Sequence, residues 1–334
     1  MKPRFVLALP LFDEAVHADL RQRAHVVVCP DHDEATVAAA LAGADVLIAR
    51  GPAKFGAALF DRADRLSVVA TVGSGSDSID VGAATRAGIV VTNGAGVAPV
   101  PVAEYVLGAL VLGQRRLLEE SDRLFRGGYA RWDARYDGMT GRTASRTRLG
   151  LAGLGQVGTE VARRAVLGLG METRYFDPRA TPPAELGLTP AASLDELFAW
   201  ADTVSLHVPL TPSTRHLVGA AQLALLGPDG VLINTSRGPV LDQPALLAAL
   251  RAGTIRSAII DVIDPEPPDA DTLAVLAGTP GLFVTPHIAG VTREALHDLS
   301  RSAVERAFAT LAGERPSSLV NPEVWDVRRR FPAG

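Results

Sequence analysis

Lysine is almost missing from this chain of 334 residues: Lys2 and Lys54 are the only two, and arginine supplies nearly all the positive charge. That is compositional bias and carries no function. The formal net charge is -4, and no run of like charges occurs, so the electrostatic footprint of a nucleic-acid binder is absent. Cysteine is scarcer still. Cys29 stands alone in the apolar run His25-Val26-Val27-Val28-Cys29, which excludes an internal disulfide and a cysteine-built zinc site, and reads as a buried, inert thiol. Long hydrophobic runs are lacking too. After Met1-Lys2-Pro3-Arg4 only about five apolar residues precede Pro10, too few for a signal-peptide core, and no later segment nears the roughly twenty needed to span a bilayer. There is no tandem repeat. These absences predict a soluble, cytoplasmic protein that works on small molecules, with no nucleic acid, membrane or metal among its partners.

What is present is 47% hydrophobic sequence, enough over this length for two domains with separate cores. Short apolar runs at Phe5–Leu9, Val26–Val28, Val46–Ala49, Leu66–Val72 and Ile89–Thr92 read as strands. Helical stretches fit around 13–23, 34–42, 56–64 and 79–87, which predicts a first α/β domain with a parallel sheet covered on both faces. Pro99 and Pro101 suit the entrance of one long helix from about Val102 to Phe125. Gly127–Arg148 follows without periodicity, as an irregular connection able to line a cleft or a subunit contact. A second α/β series then runs through strands at Thr203–Val208, Val231–Asn234, Ile255–Asp261 and Leu282–Thr285, with helices around 193–200, 220–226 and 243–252. A last helix spans Thr292–Ala312, and the tail from Arg328 reads as mobile.

The second series opens on Leu149–Arg179. An apolar run turns through Gly153-Leu154-Gly155-Gln156-Val157-Gly158, continues with helical period, and returns to a strand ending at Asp177, nineteen residues after Gly158. In a dinucleotide fold Gly153 permits the tight turn, Gly155 lets a pyrophosphate approach the backbone, and Gly158 lets helix and strand pack closely. The helix amides and dipole then face the phosphates, and Asp177 accepts from the ribose hydroxyls of NAD. Such a turn can also serve only to pack a helix on a sheet; the spaced acid favours the cofactor.

Three motifs follow at strand ends, where ligands bind in open α/β folds: Ile233-Asn234-Thr235-Ser236-Arg237-Gly238, Asp261-Val262-Ile263-Asp264-Pro265-Glu266-Pro267 and Thr285-Pro286-His287-Ile288-Ala289-Gly290. Arg237 offers a charged planar fork for a carboxylate or a polarised carbonyl. His287 near Glu266 is suited to pass a proton at neutral pH. With a nicotinamide cofactor that set fits carbonyl reduction. Alone, each residue reads as an ordinary solvated or loop residue. Cys29, Trp132 and Trp200 read as structural, and His17, His25, His32, His216 and His297 as surface or packing residues.

From Gly73-Ser74-Gly75-Ser76-Asp77-Ser78-Ile79-Asp80 through Val102-Ala103-Glu104 to His287, the chain resembles the D-isomer-specific 2-hydroxyacid dehydrogenases. The resemblance implies two doubly wound parallel-sheet domains: a Rossmann NAD-binding domain over 100–290, inserted into a flavodoxin-like substrate domain formed by 1–99 and 291–334. It implies that Arg237 binds and polarises a 2-oxo acid, that His287 is the acid–base, and that Glu266 pairs with His287. Amides near Gly73, Ser74 and Gly75 would receive the substrate carboxylate, with Arg50 close by. NAD would lie on Gly153, Gly155, Gln156, Val157, Gly158 and Asp177, with His207, Pro209, Thr214, Thr235 and Asp261 lining the rest of its site.

NADH is expected over NADPH, because the Asp177 carboxylate repels a 2′-phosphate, although Arg179 softens the effect. The resemblance further implies a homodimer through the NAD-binding domain, partly along the helix that begins near Pro99. Arg146-Thr147-Arg148 replaces a usual Gly-Lys-Thr, and Gly51 stands where a Ser or Thr is common after Arg50. Retained Glu266 argues against the formate dehydrogenase branch, and the length argues against the long, serine-regulated phosphoglycerate dehydrogenases. Two alternatives stay open: an NAD-sensing, co-repressor-like binding protein on the same fold, and a phosphite dehydrogenase.

Overall fold

The computed structural model describes residues 2–51, 53–127 and 141–331. It divides into two compact units, Met1–Ala98 with Val291–Gly334, and Pro99–Gly290.

The first unit is built on five short strands, β1 (Arg4–Leu7), β2 (His25–Val28), β3 (Val46–Ala49), β4 (Val68–Thr71) and β5 (Val90–Thr92). All pair in parallel in the order β2-β1-β3-β4-β5, the flavodoxin-like winding. Alternation along each strand sends side chains to two faces. Phe5 and Leu7 of β1 face the helix α1 (Glu14–Arg23) together with Ala303, Val304 and Ala307 of the closing helix at Arg293–Leu311. Val6 and Ala8 face the other side, against α2 (Glu34–Ala40), α3 (Ala57–Phe60) and α4 (Val81–Arg86). Asp13, Asp33 and Asp80 cap α1, α2 and α4 by accepting from Val16, Thr36 and Ala83 amides, which explains why each helix starts where it does.

The second unit holds β6 (Arg148–Ala152), β7 (Glu172–Phe176), β8 (Thr189–Pro190), β9 (Thr203–Leu206), β10 (Val231–Asn234), β11 (Ser257–Ile260) and β12 (Leu282–Val284). Their order, β12-β11-β10-β9-β6-β7-β8, is parallel throughout and reverses between β6 and β9, as in a Rossmann sheet. One face packs on α5 (Pro99–Gln114) and α7 (Gln156–Leu169) through Val106, Leu110, Val161 and Ala165. The other packs on α8 (Leu194–Trp200), α9 (Ala220–Leu226) and α10 (Gln243–Arg251).

Two expectations need correction, and two elements were not foreseen. The single helix foreseen from Val102 to Phe125 is two, α5 and α6 (Leu117–Gly127), because Arg116 turns left-handed at φ 54°. The Gln114 carbonyl accepts from the Arg142 amide at 2.8 Å, and Gly141 packs so closely on the Arg115 backbone that a β-carbon there would stand 2.7 Å from its Cα. The tail is also tied down where it is described. Arg329 donates from its amide to Gly88 and from its guanidinium to the Ala63 and Leu66 carbonyls, and Arg328 stacks on Trp325. Finally, β8 and α11 (Ala270–Ala277) have no counterpart in the sequence reading. Residues 128–140 of the irregular connection, Trp132 among them, lie outside the described residues. Among the described residues no helix is long and apolar enough to cross a membrane.

Candidate active site

The Leu149–Arg179 stretch forms the turn its spacing predicts. Gly153 takes φ 96°, and a β-carbon there would stand 2.8 Å from the His207 backbone carbon, while one on Gly158 would stand 2.4 Å from the Gly153 carbonyl oxygen. Those two glycines are required by packing. Gly155 is different: a β-carbon on it would meet nothing within 4 Å, so open space lies before it. It caps α7 without a side-chain bond, leaving the first amides of the helix, at Gln156, Val157 and Gly158, without helical partners. Asp177, just past β7, accepts from the Leu154 amide on one oxygen and the Arg179 amide on the other, both at 2.9 Å. The carboxylate is thereby fixed beside the glycine turn with lone pairs to spare.

Around this turn two buried polar atoms have no partner among the described residues: His207 Nε2 and Thr235 Oγ1. Burial pushes the His207 imidazole down to about 4, so it is neutral near pH 7. Thr214 is occupied within its own loop, its hydroxyl donating to Pro209 at 2.6 Å and accepting from the Thr211 amide at 2.8 Å. Gly155's open cradle, the two orphaned atoms and fixed Asp177 suit a dinucleotide carrying phosphates and ribose hydroxyls. Among the described residues no cluster of side chains is suited to a metal ion.

Beyond β10 the buried Asn234 side chain ties the next turn. It donates to the Arg237 carbonyl at 3.1 Å and accepts from the Ser236 amide and hydroxyl at 3.0 and 2.7 Å. Arg237 itself donates to the Ser236 carbonyl at 2.7 Å. Gly238 lets this turn pass the neighbouring loop, since a β-carbon there would stand 2.0 Å from the Ile263 carbonyl oxygen. That neighbouring loop carries Glu266. Gln243, at the start of α10, grips it by donating to the Asp264 carbonyl at 2.9 Å and accepting from the Asp264 amide at 3.1 Å.

Glu266 meets His287 at 2.6 Å, Oε1 to Nδ1. An ionised carboxylate only accepts, so Nδ1 carries the hydrogen and Nε2 is the nitrogen left for another molecule. The Glu266 hydrogen bond, helped by the charges of Glu266 and Asp261, holds the His287 pKa above the ordinary histidine value against burial and the nearby Arg237 charge. Arg237, Glu266 and His287 therefore act on one another. Asp261 is almost fully buried, and its carboxylate accepts from Thr285, Ile288 and Ala289.

Across residues 108–289 the chain matches the family model described as D-isomer specific 2-hydroxyacid dehydrogenase, NAD binding domain. A glyoxylate reductase of Korarchaeum cryptofilum is 39% identical over 81% of this chain and 81% of its own length. The chain belongs to the D-isomer specific 2-hydroxyacid dehydrogenase family. A D-3-phosphoglycerate dehydrogenase of Methanocaldococcus jannaschii is 33% identical over 93% of the chain, which spans 58% of that longer relative. Among solved structures, an NADPH-dependent glyoxylate/hydroxypyruvate reductase from Sinorhizobium meliloti, in complex with NADP and malonate, superposes with a TM-score of 0.81 at 30% identity, over 96% of this chain and 97% of that one. This dehydrogenase is thus an oxidoreductase acting on the CH–OH group of 2-hydroxy acids, and its second unit carries the family's NAD-binding domain.

In the first unit of the dehydrogenase, the amides of Gly73, Ser74 and Gly75 have no partner among the described residues. Their carbonyls are held from behind, Gly73 by the Gly94 amide at 2.5 Å, Ser74 by the Asn93 side chain at 2.7 Å, and Gly73 and Gly75 by the Thr71 hydroxyl at 3.2 and 3.1 Å. Arg50 donates to the Pro10 carbonyl and stacks 3.6 Å over the Phe12 ring. Gly51 after it takes φ 93°, a region that favours glycine over the Ser or Thr common there. Sequence reasoning assigned no role to Asn234, Gln243, Tyr105 or Thr285. Asn234 and Thr285 lay within the strand-end motifs without a role of their own; Gln243 and Tyr105 carry no local pattern.

Proposed function

We propose that this dehydrogenase interconverts a 2-oxo acid and its D-2-hydroxy acid with NAD(H), His287 serving as the acid–base. The observation that supports it most is the 2.6 Å bond from His287 Nδ1 to Glu266, which leaves Nε2 to face substrate with Arg237 in electrostatic reach. When bound, the nicotinamide supplies the hydride to the carbonyl carbon, or takes it back from the alcohol. The chain's own residues do the rest. The Arg237 guanidinium binds the 2-oxo acid and polarises its carbonyl. His287 gives the Nε2 proton to the oxygen that becomes the hydroxyl, and Glu266 keeps the ring in the right tautomer and stabilises its charged form. The free amides of Gly73, Ser74 and Gly75 take the substrate carboxylate, beside Arg50.

The cofactor would be held by Gly155, Gln156 and Val157, with Gly153 and Gly158 shaping the turn and Asp177 accepting from the adenosine ribose. His207, Pro209, Thr214, Thr235 and Asp261 line or support the remainder. Asp177, fixed by two backbone amides, favours NADH over NADPH by repelling a 2′-phosphate. Exposed Leu117, Leu124 and Phe125 on α6 support a homodimer through the second unit. Composition supports a cytoplasmic protein.

The test is a panel of 2-oxo acids, including glyoxylate, hydroxypyruvate and a bulky acid, with NADH and NADPH followed at low enzyme concentration. Steady turnover with higher kcat/KM for NADH is expected. Binding of NADH without turnover of any acid would mark a sensing protein, phosphite-dependent reduction of NAD a phosphite dehydrogenase, and equal or better use of NADPH would overturn the cofactor preference.

A further inference from the structure

Asp261 follows β11, and the three donors to its carboxylate come from one short stretch. Thr285 Oγ1 and the Ile288 amide donate to Oδ1 at 2.5 and 2.8 Å, and the Ala289 amide donates to Oδ2 at 2.7 Å. His287 lies in the middle of that stretch. Its amide goes to the Asp261 carbonyl at 2.8 Å, and its backbone is left-handed at φ 56°, where a residue with a β-carbon stays only if its surroundings hold it. The carboxylate that holds the turn also sets the direction in which the imidazole leaves it.

Counting hydrogens gives the chain a direction. Thr285 has one hydroxyl hydrogen, and the carboxylate oxygen only accepts, so that hydrogen goes to Asp261. The 2.6 Å contact between Tyr105 Oη and Thr285 Oγ1 then uses the tyrosine's hydrogen. Tyr105 donates to Thr285, Thr285 donates to Asp261, and each bond strengthens the next because the line ends on a charge. Burial, with the Asp261 charge adding to it, keeps the Tyr105 phenol above its ordinary pKa, so the hydrogen stays in place at neutral pH. Tyr105 sits on α5, whose face through Ala103, Val106 and Leu110 is buried on the sheet, so the line starts from an element anchored independently of the His287 turn.

We propose that Tyr105 and Thr285 are positioning residues which, through Asp261, hold the His287 turn so that Nδ1 meets Glu266 and Nε2 is left for substrate. The proposal rests on the reading of His287 as the proton carrier, and its test is chosen to be separable from that reading. The charged groups acting on His287 are Glu266 and Asp261, which raise its pKa, and Arg237, which lowers it; the Glu266 hydrogen bond is the largest influence. Loosening the turn weakens that bond. The His287 titration is followed by NMR in the full-length chain, its signal assigned with a His287→Gln variant.

In Thr285→Val the His287 pKa should fall by about half a unit or more, because its strongest partner is less well held. The descending limb of the pH profile for 2-oxo acid reduction moves down with it, and kcat drops about tenfold through misplacement of the imidazole. Thr285→Ser restores both. Tyr105→Phe moves them in the same direction by less and serves if Thr285→Val does not fold. An unshifted His287 titration in whichever of these variants folds, or a Thr285→Ser variant that restores nothing, overturns the proposal. Because the NMR titration needs no turnover, a chain inactive on every 2-oxo acid would overturn the proton-carrier reading alone, and a shifted His287 would still support the hydrogen-bonded line.

Discussion

In the proposed reaction His287 would give up a proton when a 2-oxo acid is reduced and take one when the hydroxy acid is oxidised. Its pKa is raised chiefly by the Glu266 hydrogen bond, so on that proposal reduction is expected at full rate below that pKa and to fall as pH rises through it, with oxidation behaving in the opposite way. Glu266→Gln removes both the hydrogen bond to a carboxylate and the negative charge. The descending limb of kcat/KM for reduction is then expected at lower pH, with kcat lower by about tenfold to a hundredfold, and a pH–rate profile that keeps its wild-type limb would contradict the assignment. His207 supplies a contrast: burial holds it to about 4, so a titration seen near neutrality does not belong to it. At this scale Arg237, Glu266 and His287, which the structure brings within electrostatic reach of one another, were legible as candidates because their residue types suit proton transfer and carboxylate binding and their motifs follow strand ends. Gln243 and Tyr105 were not, because each acts by reaching a backbone or hydroxyl group far along the chain, at Asp264 and Thr285.

Among the elements, the glycine turn before α7 separates a folding requirement from a binding one. A methyl group on Gly158 would press into the Gly153 carbonyl at 2.4 Å, whereas one on Gly155 would meet only open space. Gly158→Ala is expected to destabilise the protein by about 1–3 kcal/mol through overpacking, read as a fall in Tm. Gly155→Ala should cost less than about 1 kcal/mol as a change of helix cap, yet weaken NADH binding in a fluorescence titration. Wild-type affinity in Gly155→Ala would remove the turn as the cofactor's seat. Parallel strands separated by helices were readable from apolar runs alone, and most observed strands are shorter than their runs because the ladder ends before the apolar residues do. The break between α5 and α6 was not readable, since it is made by Gly141 and Arg142 returning from outside the helix.

For the molecule as a whole, α6 leaves Phe125 84% exposed, with Leu117 and Leu124 also in water, a pattern better suited to a covered face than to solvent. In sedimentation velocity the wild-type chain is expected as a dimer and Phe125→Glu as a monomer; a wild-type monomer would contradict the proposed association. Family membership was legible in the order of the motifs along the chain, because each motif alone has an ordinary explanation and their sequence does not. The choice of acid was not, because the loops that distinguish one side chain from another carry no periodic pattern. The most direct measurement of the central claim compares NADH oxidation by wild type and His287→Ala with the best 2-oxo acid of the panel, alongside NADH binding to both. Wild type is expected to turn over steadily, and the variant to bind NADH comparably while losing about two to four orders of magnitude in kcat. A His287→Ala variant that reduces the acid at the wild-type rate would contradict the account.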